Sequence, residues 1–186
     1  MQRFLFVFLA ALTALPCSAQ DRVNVPGIGL VPYQQLFEAV SEPGESLDAF
    51  ALRLGPRLRA YSDETGFEAC GVLASDGDRF GVVIGTNHSH VACVNFASKV
   101  PAGFQPTEET IHSHGGEKTF AASATDVLLL SKDAFGSRSR TSLRVTGQKL
   151  GEFSKTDYQG GAGYLATPKG VIHQAGAKHV RVLGGD

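Results

Sequence analysis

Two histidines separated by one residue, His112 and His114, close the short run ETIHSH. This run has the composition of a β-strand, and successive side chains of a strand point to opposite faces. Both imidazoles would therefore lie on one face, with Ser113 on the other. Two imidazoles placed in this way can share a Zn²⁺ ion, which also accepts carboxylate ligands. The pair alone is a weak indication of a metal site, because His-x-His is common in strands that bind no metal.

Carboxylates at two kinds of position could complete such a site. A third ligand could come from an aspartate in the first turn of a helix, and the Ser-x-x-Asp sequences from Ser123 to Asp126 and from Ser154 to Asp157 each offer one. Hydrolysis by a metal-activated water also needs a general base that is not itself a ligand. Glu68, which stands directly before the apolar run ACGVLA, is the candidate for this base.

Together these motifs resemble the JAMM (JAB1/MPN/Mov34) metalloprotease superfamily. The run EACGVL, which begins at Glu68, is similar to the E-x-x-G-x-L opening of the family, and His112 and His114 match its histidine pair. The HSHG sequence and the later GYLATPKG resemble a bacterial branch of the superfamily, DUF4329. The resemblance extends from about Ser46 to Gln174, which is most of the chain.

The resemblance implies a fold, a cofactor and a reaction. The fold would be JAMM/MPN-like, a sandwich similar to that of cytidine deaminases. His112, His114 and one aspartate would hold Zn²⁺, and the reaction would be hydrolysis of a peptide or isopeptide bond. Glu68 would take a proton from the attacking water. The serine that precedes the aspartate, Ser154 or Ser123, would stabilise the oxyanion.

The sequence departs from the family pattern at two places. Gly115 and Gly116 stand where the family usually has a proline after the histidine pair. The Ser-x-x-Asp is also ambiguous, because Asp126 lies close to the family spacing and leads into a helical run. Asp157 requires about 30 inserted residues, but the text around it, FSKTD followed by GYLATPKG, resembles the family more closely. We favour Asp157 as the third ligand and keep Asp126 as the alternative.

The remaining pattern predicts an α+β or α/β fold with a single mixed β-sheet flanked by helices. Ser46 can cap a helix that runs to about Tyr61 with one apolar face. A second helix, SATDVLLLSKDAF, begins at Ser123, and GYLAT and VIHQAG form a hairpin around PKG. Further short strands are expected in EACGVLA, RFGVVIG, VACVNFA, ETIHSH, SLRVTG and HVRVL.

The N-terminal part of the sequence predicts export. Residues 1–19 have a basic start, an apolar run and small residues before a cut after Ala19, which is the layout of a signal peptide. Residues 20–45 are expected to form an extended lead-in with a short helix around YQQLFEAV, and residues 46–186 a single JAMM-like domain. The protein would be secreted or periplasmic. In that oxidising compartment Cys70 and Cys93 can form a disulfide, and two buried thiols are the alternative.

Composition limits the partners. The formal net charge is −1 and the chain has no basic cluster, so a nucleic acid is not an expected partner, nor is a membrane after removal of the signal peptide. A peptide or protein substrate is expected instead, with peptidoglycan stem peptides and exported proteins as natural sources of the amide bond. A catalytically inactive JAMM-like binding module and a secreted toxin or effector domain are the alternatives.

The other histidines are expected to be structural or exposed. His88 and His90 form a second His-x-His with the geometry of a strand, but no carboxylate follows at a useful spacing. Cys93 could join them as a ligand only if it were not used in a disulfide. His173 and His179 stand singly among apolar neighbours.

Overall fold

The computed structural model describes residues 21–130 and 143–184. The helices in this part of the chain are α1 (Leu47–Thr65), α2 (Ala124–Leu129) and α3 (Lys155–Gln159). The strands are β1 (Asp21–Val25), β2 (Gly29–Val40), β3 (Ala69–Ser75), β4 (Phe80–Thr86), β5 (Gln105–Ser113), β6 (Thr119–Ala121), β7 (Arg144–Thr146), β8 (Gly163–Thr167), β9 (Gly170–Gln174) and β10 (Val180–Gly184).

One large sheet dominates the architecture. Its eight strands follow the order β1-β2-β4-β3-β5-β8-β9-β10. All neighbouring strands are antiparallel except β5 and β8, which run parallel. β6 and β7 pair separately as a two-stranded sheet. The prediction of an α+β fold around one mixed sheet is confirmed, as is the hairpin of GYLAT and VIHQAG, which forms β8 and β9.

The long helix α1 packs on the sheet and supplies much of the core. Its N-cap is Ser46, as predicted, and the Ser46 hydroxyl accepts a hydrogen bond from the Ala49 N–H at 3.2 Å. The helix continues past Tyr61 to Thr65, where Gly66 adopts a left-handed φ of 77°. Glycine has no Cβ to oppose this conformation, so the helix can end there. The core contains these buried side chains: Phe50, Ala51, Leu54, Leu58, Leu73, Ile84, Ile111, Tyr164 and Val171.

The segment YQQLFEAV is part of strand β2, so the predicted short helix is wrong. Tyr33, Leu36, Phe37 and Val40 recur at a spacing that favours a helix. In the structure, the pairing of β2 with β4 shifts between Gln35 and Phe37, and Leu36 is the extra residue of a β-bulge. A bulge allows two consecutive apolar side chains to pack on the same core, with Phe37 buried and Leu36 partly buried.

The first two strands belong to the main sheet. β1 pairs with β2, and β2 pairs with β4. The predicted lead-in, residues 20–45, is thus described from Asp21 onward as two strands of that sheet. The predicted signal peptide, residues 1–19, lies outside the described residues. Within residues 21–130 and 143–184, no helix combines the length and apolar character needed to cross a bilayer.

The run VACVNFA is an irregular connection between β4 and β5, in contrast to the predicted strand. Side chains rather than a neighbouring strand satisfy its backbone, and Asn87 Oδ1 accepts the N–H of Val94 at 2.7 Å. A disulfide joins Cys93 of this connection to Cys70 on β3, which confirms the predicted pairing. The cross-link holds the connection against the sheet, where a further strand had been expected.

Opening this disulfide is expected to lower the free energy of unfolding by about 3 kcal/mol, because a cross-link removes conformational entropy from the unfolded chain. For a domain of this size, the Tm should fall by roughly 6–12 °C. Calorimetry of the wild type with and without dithiothreitol measures the change. The Cys70→Ala/Cys93→Ala protein should melt at the lower temperature and should not respond to reductant. Equal Tm values in all these samples would contradict the expectation.

Candidate metal centre

The pairing of β3 with β5 brings Glu68 to the histidine pair. In this antiparallel register Cys70 lies opposite His112. Glu68 stands two residues before Cys70, so it reaches the level of His114, two residues after His112. The predicted base and the two predicted ligands are thus neighbours across a strand pair, although more than 40 residues separate them in the chain.

The parallel pairing of β5 with β8 brings Asp157 to the same place. Gly163, the first residue of β8, lies opposite Thr110, which precedes His112 by two residues. The helix α3 comes just before β8 in the chain and carries Asp157. This register therefore places Asp157 beside the histidines from the side opposite to Glu68.

His112, His114 and Asp157 form a group whose ligand atoms all lie within 4.8 Å of one another. The two Nε2 atoms are 3.3 Å apart. Asp157 Oδ1 lies 3.4 Å from His112 Nε2, and Asp157 Oδ2 lies 3.3 Å from His114 Nε2. Two imidazole nitrogens and a carboxylate are a donor set that divalent transition metals accept. The group can therefore hold a metal ion, and Asp157 is the aspartate that the structure brings to the histidines.

Backbone carbonyls orient both imidazoles from outside this group. His114 Nδ1 lies 2.6 Å from the carbonyl oxygen of Lys149. A carbonyl only accepts, so Nδ1 carries the hydrogen and the neutral ring keeps its lone pair on Nε2, toward the group. His112 is hydrogen-bonded to the backbone of Tyr164 on β8. The neutral ring of His114 is thus held in the tautomer that a metal ligand needs.

Charge and burial act differently on the two rings. Burial lowers the pKa of His112, which favours the neutral ring. Burial also acts to lower the pKa of His114, but the carboxylates of Asp157 and Glu68 outweigh it and raise that pKa. Protonation of His114 therefore competes with metal binding as the pH falls.

Asp157 is fixed by the capping box of α3. Ser154 Oγ accepts the Asp157 N–H at 3.2 Å, and the Ser154 N–H donates to Asp157 Oδ2 at 2.6 Å. Burial would raise the pKa of Asp157, but hydrogen bonds from His112 and His114 hold that pKa well below its ordinary value. The carboxylate is consequently ionised and directed at the histidines.

Glu68 is a buried carboxyl group beside this group of ligands. Only 3% of its surface is exposed, and it borders the same cleft as His112 and Asp157. Burial raises the pKa of Glu68 to about 8; the carboxylates of Asp157 and Asp126 act in the same direction, and His114 opposes them. A carboxyl with a strongly raised pKa in a cleft is a candidate for acid–base chemistry.

The cleft has a volume of about 300 Å³, which lies at the lower end of the range for small-ligand sites. Besides the three titratable side chains, uncharged residues such as Gln148, Phe153 and Thr156 line it. Ser154, the predicted oxyanion donor, is not among the residues that line the cleft. Its contacts are those of a helix cap, so the oxyanion role stays a prediction.

Asp126 belongs to a second buried cluster. Its Oδ1 accepts the Ser89 hydroxyl at 2.6 Å, and its Oδ2 lies 2.7 Å from His90 Nδ1. Ser123 caps α2 through the Asp126 N–H at 3.0 Å. Burial would raise the pKa of Asp126, but hydrogen bonds from Ser89 and His90 lower it. Asp126 and Ser123 therefore hold the connection after β4 in place, and the structure does not bring them to His112 and His114.

The second His-x-His lacks the strand geometry that had been expected. His88 has a left-handed φ of 56°, so its backbone is not extended. Its Nε2 lies 2.8 Å from Gln34 Oε1, and the ring of His90 stacks on Phe120 with the centroids 4.3 Å apart. Both histidines make structural contacts, as does His173, whose Nε2 lies 2.9 Å from Glu109 Oε2.

The glycine after the histidine pair has a steric explanation. A Cβ added at Gly115 would lie 1.9 Å from the carbonyl oxygen of Gly66. No residue with a side chain, proline included, fits there without a backbone shift. The close approach of these two glycines brings the end of α1 against the chain that leaves His114.

Sequence reasoning missed two groups that hold His114. Arg59 on α1 is buried and donates from Nη1 to the His114 carbonyl at 2.6 Å. Lys149 contributes through its backbone, so its side-chain type carries no signal. An arginine flanked by apolar residues in α1 was the only available hint of the first contact.

No protein-family model, curated protein or solved structure matches the chain. The resemblance to the JAMM superfamily therefore stays a prediction from the motifs. What the structure adds is a group of two histidines and an aspartate, of which His112 and Asp157 line one cleft together with the buried Glu68.

Replacing Asp126 by asparagine is expected to lower the free energy of unfolding by about 3 kcal/mol at neutral pH, because the amide nitrogen cannot accept the buried hydrogen bonds that the carboxylate oxygen accepts. Since folding lowers the pKa of Asp126, its contribution is complete above the unfolded pKa of about 3.9 and is lost as the pH falls through the folded pKa. Denaturant unfolding at about pH 7 and about pH 3 should show the difference between wild type and variant shrinking in acid.

The exposed Asp78, in the turn between β3 and β4, offers a matched control. Asp78→Asn should change the free energy of unfolding by less than about 0.5 kcal/mol. An Asp126→Asn protein as stable as the wild type at neutral pH would contradict the structural role of Asp126.

Proposed function

We propose that this protein is a zinc-dependent hydrolase of the JAMM type that cleaves a peptide or isopeptide bond. The supporting observation is that His112, His114 and Asp157 form one group of possible ligands, and that two of them, His112 and Asp157, line a cleft that Glu68 also borders. Three ligands and one separate carboxyl group are the parts that metal-assisted amide hydrolysis requires. The second cluster, around Asp126, has its hydrogen bonds satisfied internally and is left with a structural role.

The residues of the site would share the chemistry. Zinc bound by His112, His114 and Asp157 would supply a Lewis acid that polarises the substrate carbonyl and acidifies water. Glu68 would take the proton of the attacking water and return it to the leaving amine. Positive charge bound nearby lowers the pKa of Glu68 from about 8, because it favours the carboxylate form that a base needs.

Ser154 remains the proposed donor to the developing oxyanion. Its Oγ accepts the Asp157 N–H at 3.2 Å, and this bond leaves the hydroxyl hydrogen for another acceptor. The hydroxyl of Ser123, by contrast, donates to the carbonyl of His88 at 2.8 Å and has no part in the proposal.

Export of the protein and its substrate class belong to the same proposal. The Cys70–Cys93 disulfide is typical of proteins in oxidising compartments, which supports a secreted or periplasmic location. A peptide or protein in that compartment would then be the substrate, and a peptidoglycan stem peptide is one source of such amides. The uncharged part of the cleft lining, with residues such as Gln148 and Thr156, is compatible with a peptide backbone.

Metal analysis of four variants tests the proposal. His112→Ala and Asp157→Asn should lose zinc because each removes one of three ligands, whereas Glu68→Gln and Asp126→Asn should keep about one zinc ion per chain. Glu68→Gln should nevertheless lose turnover, because it lacks the base. Elemental mass spectrometry after dialysis measures the metal, and mass spectrometry of a pool of acetylated, amidated peptides measures cleavage.

Several results would contradict the proposal. Zinc retained by Asp157→Asn but lost from Asp126→Asn would identify the other aspartate as the ligand. Stoichiometric zinc in all four variants would show that the metal is not bound at the proposed site. A different metal in the wild type would contradict the assignment of zinc. A wild type that holds zinc but cleaves no peptide of the pool would contradict the hydrolase activity.

A further inference from the structure

Hydrogen bonds hold both the backbone N–H and the backbone carbonyl of Glu68, but they do not orient its side chain. The Glu68 N–H donates to the carbonyl of Ser89 at 2.8 Å, and the Thr86 hydroxyl donates to the carbonyl of Glu68, also at 2.8 Å. Neither contact reaches the carboxylate. For a general base, the direction of the carboxylate matters, because a displacement of about 1 Å can cost a factor of about 100 in rate.

One side chain of the cleft lining, that of Gln148, contacts this carboxylate. Gln148 Nε2 donates to the Val91 carbonyl at 2.8 Å and lies 3.5 Å from Glu68 Oε1. The short bond to Val91 decides the orientation of the amide, since the opposite orientation would place two oxygens together. The second hydrogen of the same nitrogen is thereby presented to Glu68.

This arrangement leaves a polar atom without a partner. Gln148 Oε1 is buried and accepts no hydrogen bond from the described part of the chain. A buried unpartnered acceptor costs about 1–3 kcal/mol, which offsets the bond that the same amide donates to Val91. The amide at this position therefore adds little net stability to the fold, which favours a role at the cleft.

The segment that carries Gln148 is anchored next to the histidines. The Gly147 N–H donates to the Lys118 carbonyl at 3.0 Å. A Cβ on Gly147 would lie 1.6 Å from the carbonyl oxygen of Gly116, so only glycine allows this approach. On the other side of Gln148, the carbonyl of Lys149 accepts the hydrogen bond from His114 Nδ1. Two consecutive residues thus reach the proposed base and a proposed ligand.

We propose that Gln148 is a positioning residue that holds the carboxylate of Glu68 at the cleft. The inference rests on the proposed function for the role of Glu68, but the contact itself does not depend on catalysis. Gln148 is not part of the group of metal ligands. Its removal should act on the base and leave the binding of the metal unchanged.

Gln148→Met keeps the length of the side chain and removes the donor. In the zinc-loaded protein, kcat on the acetylated, amidated peptide pool should fall about 10- to 100-fold, while zinc content stays at the wild-type level. KM should stay unchanged, as expected when an interaction used only in the transition state is lost. Gln148→Glu, which places a carboxylate against Glu68, should lose at least as much. Gln105→Met, at the exposed start of β5, is the matched control and should keep wild-type kcat.

Crystal structures of zinc-loaded wild type and Gln148→Met provide a readout that needs no substrate. In the variant, the Glu68 carboxylate should turn away or occupy two conformers, with His112, His114 and Asp157 unmoved. The Tm should stay within about 4 °C of the wild type, because the lost bond and the removed unpartnered oxygen offset each other.

The outcomes separate the two proposals. Turnover retained by Glu68→Gln would overturn the proposed function, and the crystal structures would still decide whether Gln148 places Glu68. Turnover lost in Glu68→Gln but unchanged in Gln148→Met, with Glu68 in its wild-type position, would overturn the positioning role alone. A large fall in Tm with loss of zinc in Gln148→Met would show a purely structural residue and would also overturn it.

Discussion

The double pairing of β5, antiparallel with β3 and parallel with β8, is the constraint on which the candidate site depends. The antiparallel side brings the residue before β3, Glu68, level with His114. The parallel side brings the helix before β8, with Asp157, to the same end of the strand. A slip of one residue in the first pairing would turn every side chain of β3 to the other face, because the side-chain period of a strand is two. The register of the sheet therefore fixes the relative positions of Glu68 and the histidines.

A second set of contacts holds the ligands from outside. Arg59 on α1 and the backbone of Lys149 both bind His114, one at its carbonyl and the other at its ring. These groups lie on opposite faces of β5 and come from opposite ends of the domain's sequence. Such outer contacts set the tautomer and direction of a metal-binding histidine, and their loss weakens metal sites about 10- to 100-fold. The segment 147–149 extends this support to Glu68 through Gln148.

The chain contains two combinations of a His-x-His sequence with an aspartate, and only one of them forms a candidate metal site. His88 to His90 with Asp126, and His112 to His114 with Asp157, combine the same residue types, and both aspartates lie in the first turn of a short helix whose N-cap is a serine. In the first case the backbone at His88 is left-handed rather than extended, and the Asp126 carboxylate accepts hydrogen bonds from Ser89, His90 and Ser123. In the second case an extended strand keeps the imidazoles together and open to a shared ion. Backbone conformation, rather than residue type, separates the structural cluster from the candidate metal centre.

The sequence by itself determined the class of fold and the residue types of the candidate site, because helix caps, alternating strands and tight turns are local properties, and it left the cysteines open between a disulfide and two thiols. The tertiary structure decided the rest. YQQLFEAV has helical spacing but becomes a strand because a bulge and the pairing with β4 bury its adjacent apolar residues. The choice between Asp126 and Asp157 depended on which helix precedes the strand paired with β5, and the roles of Arg59 and Gln148 depended on contacts across 55 and 80 residues of chain. No local pattern records such contacts, since their free energy arises only when distant segments pack together.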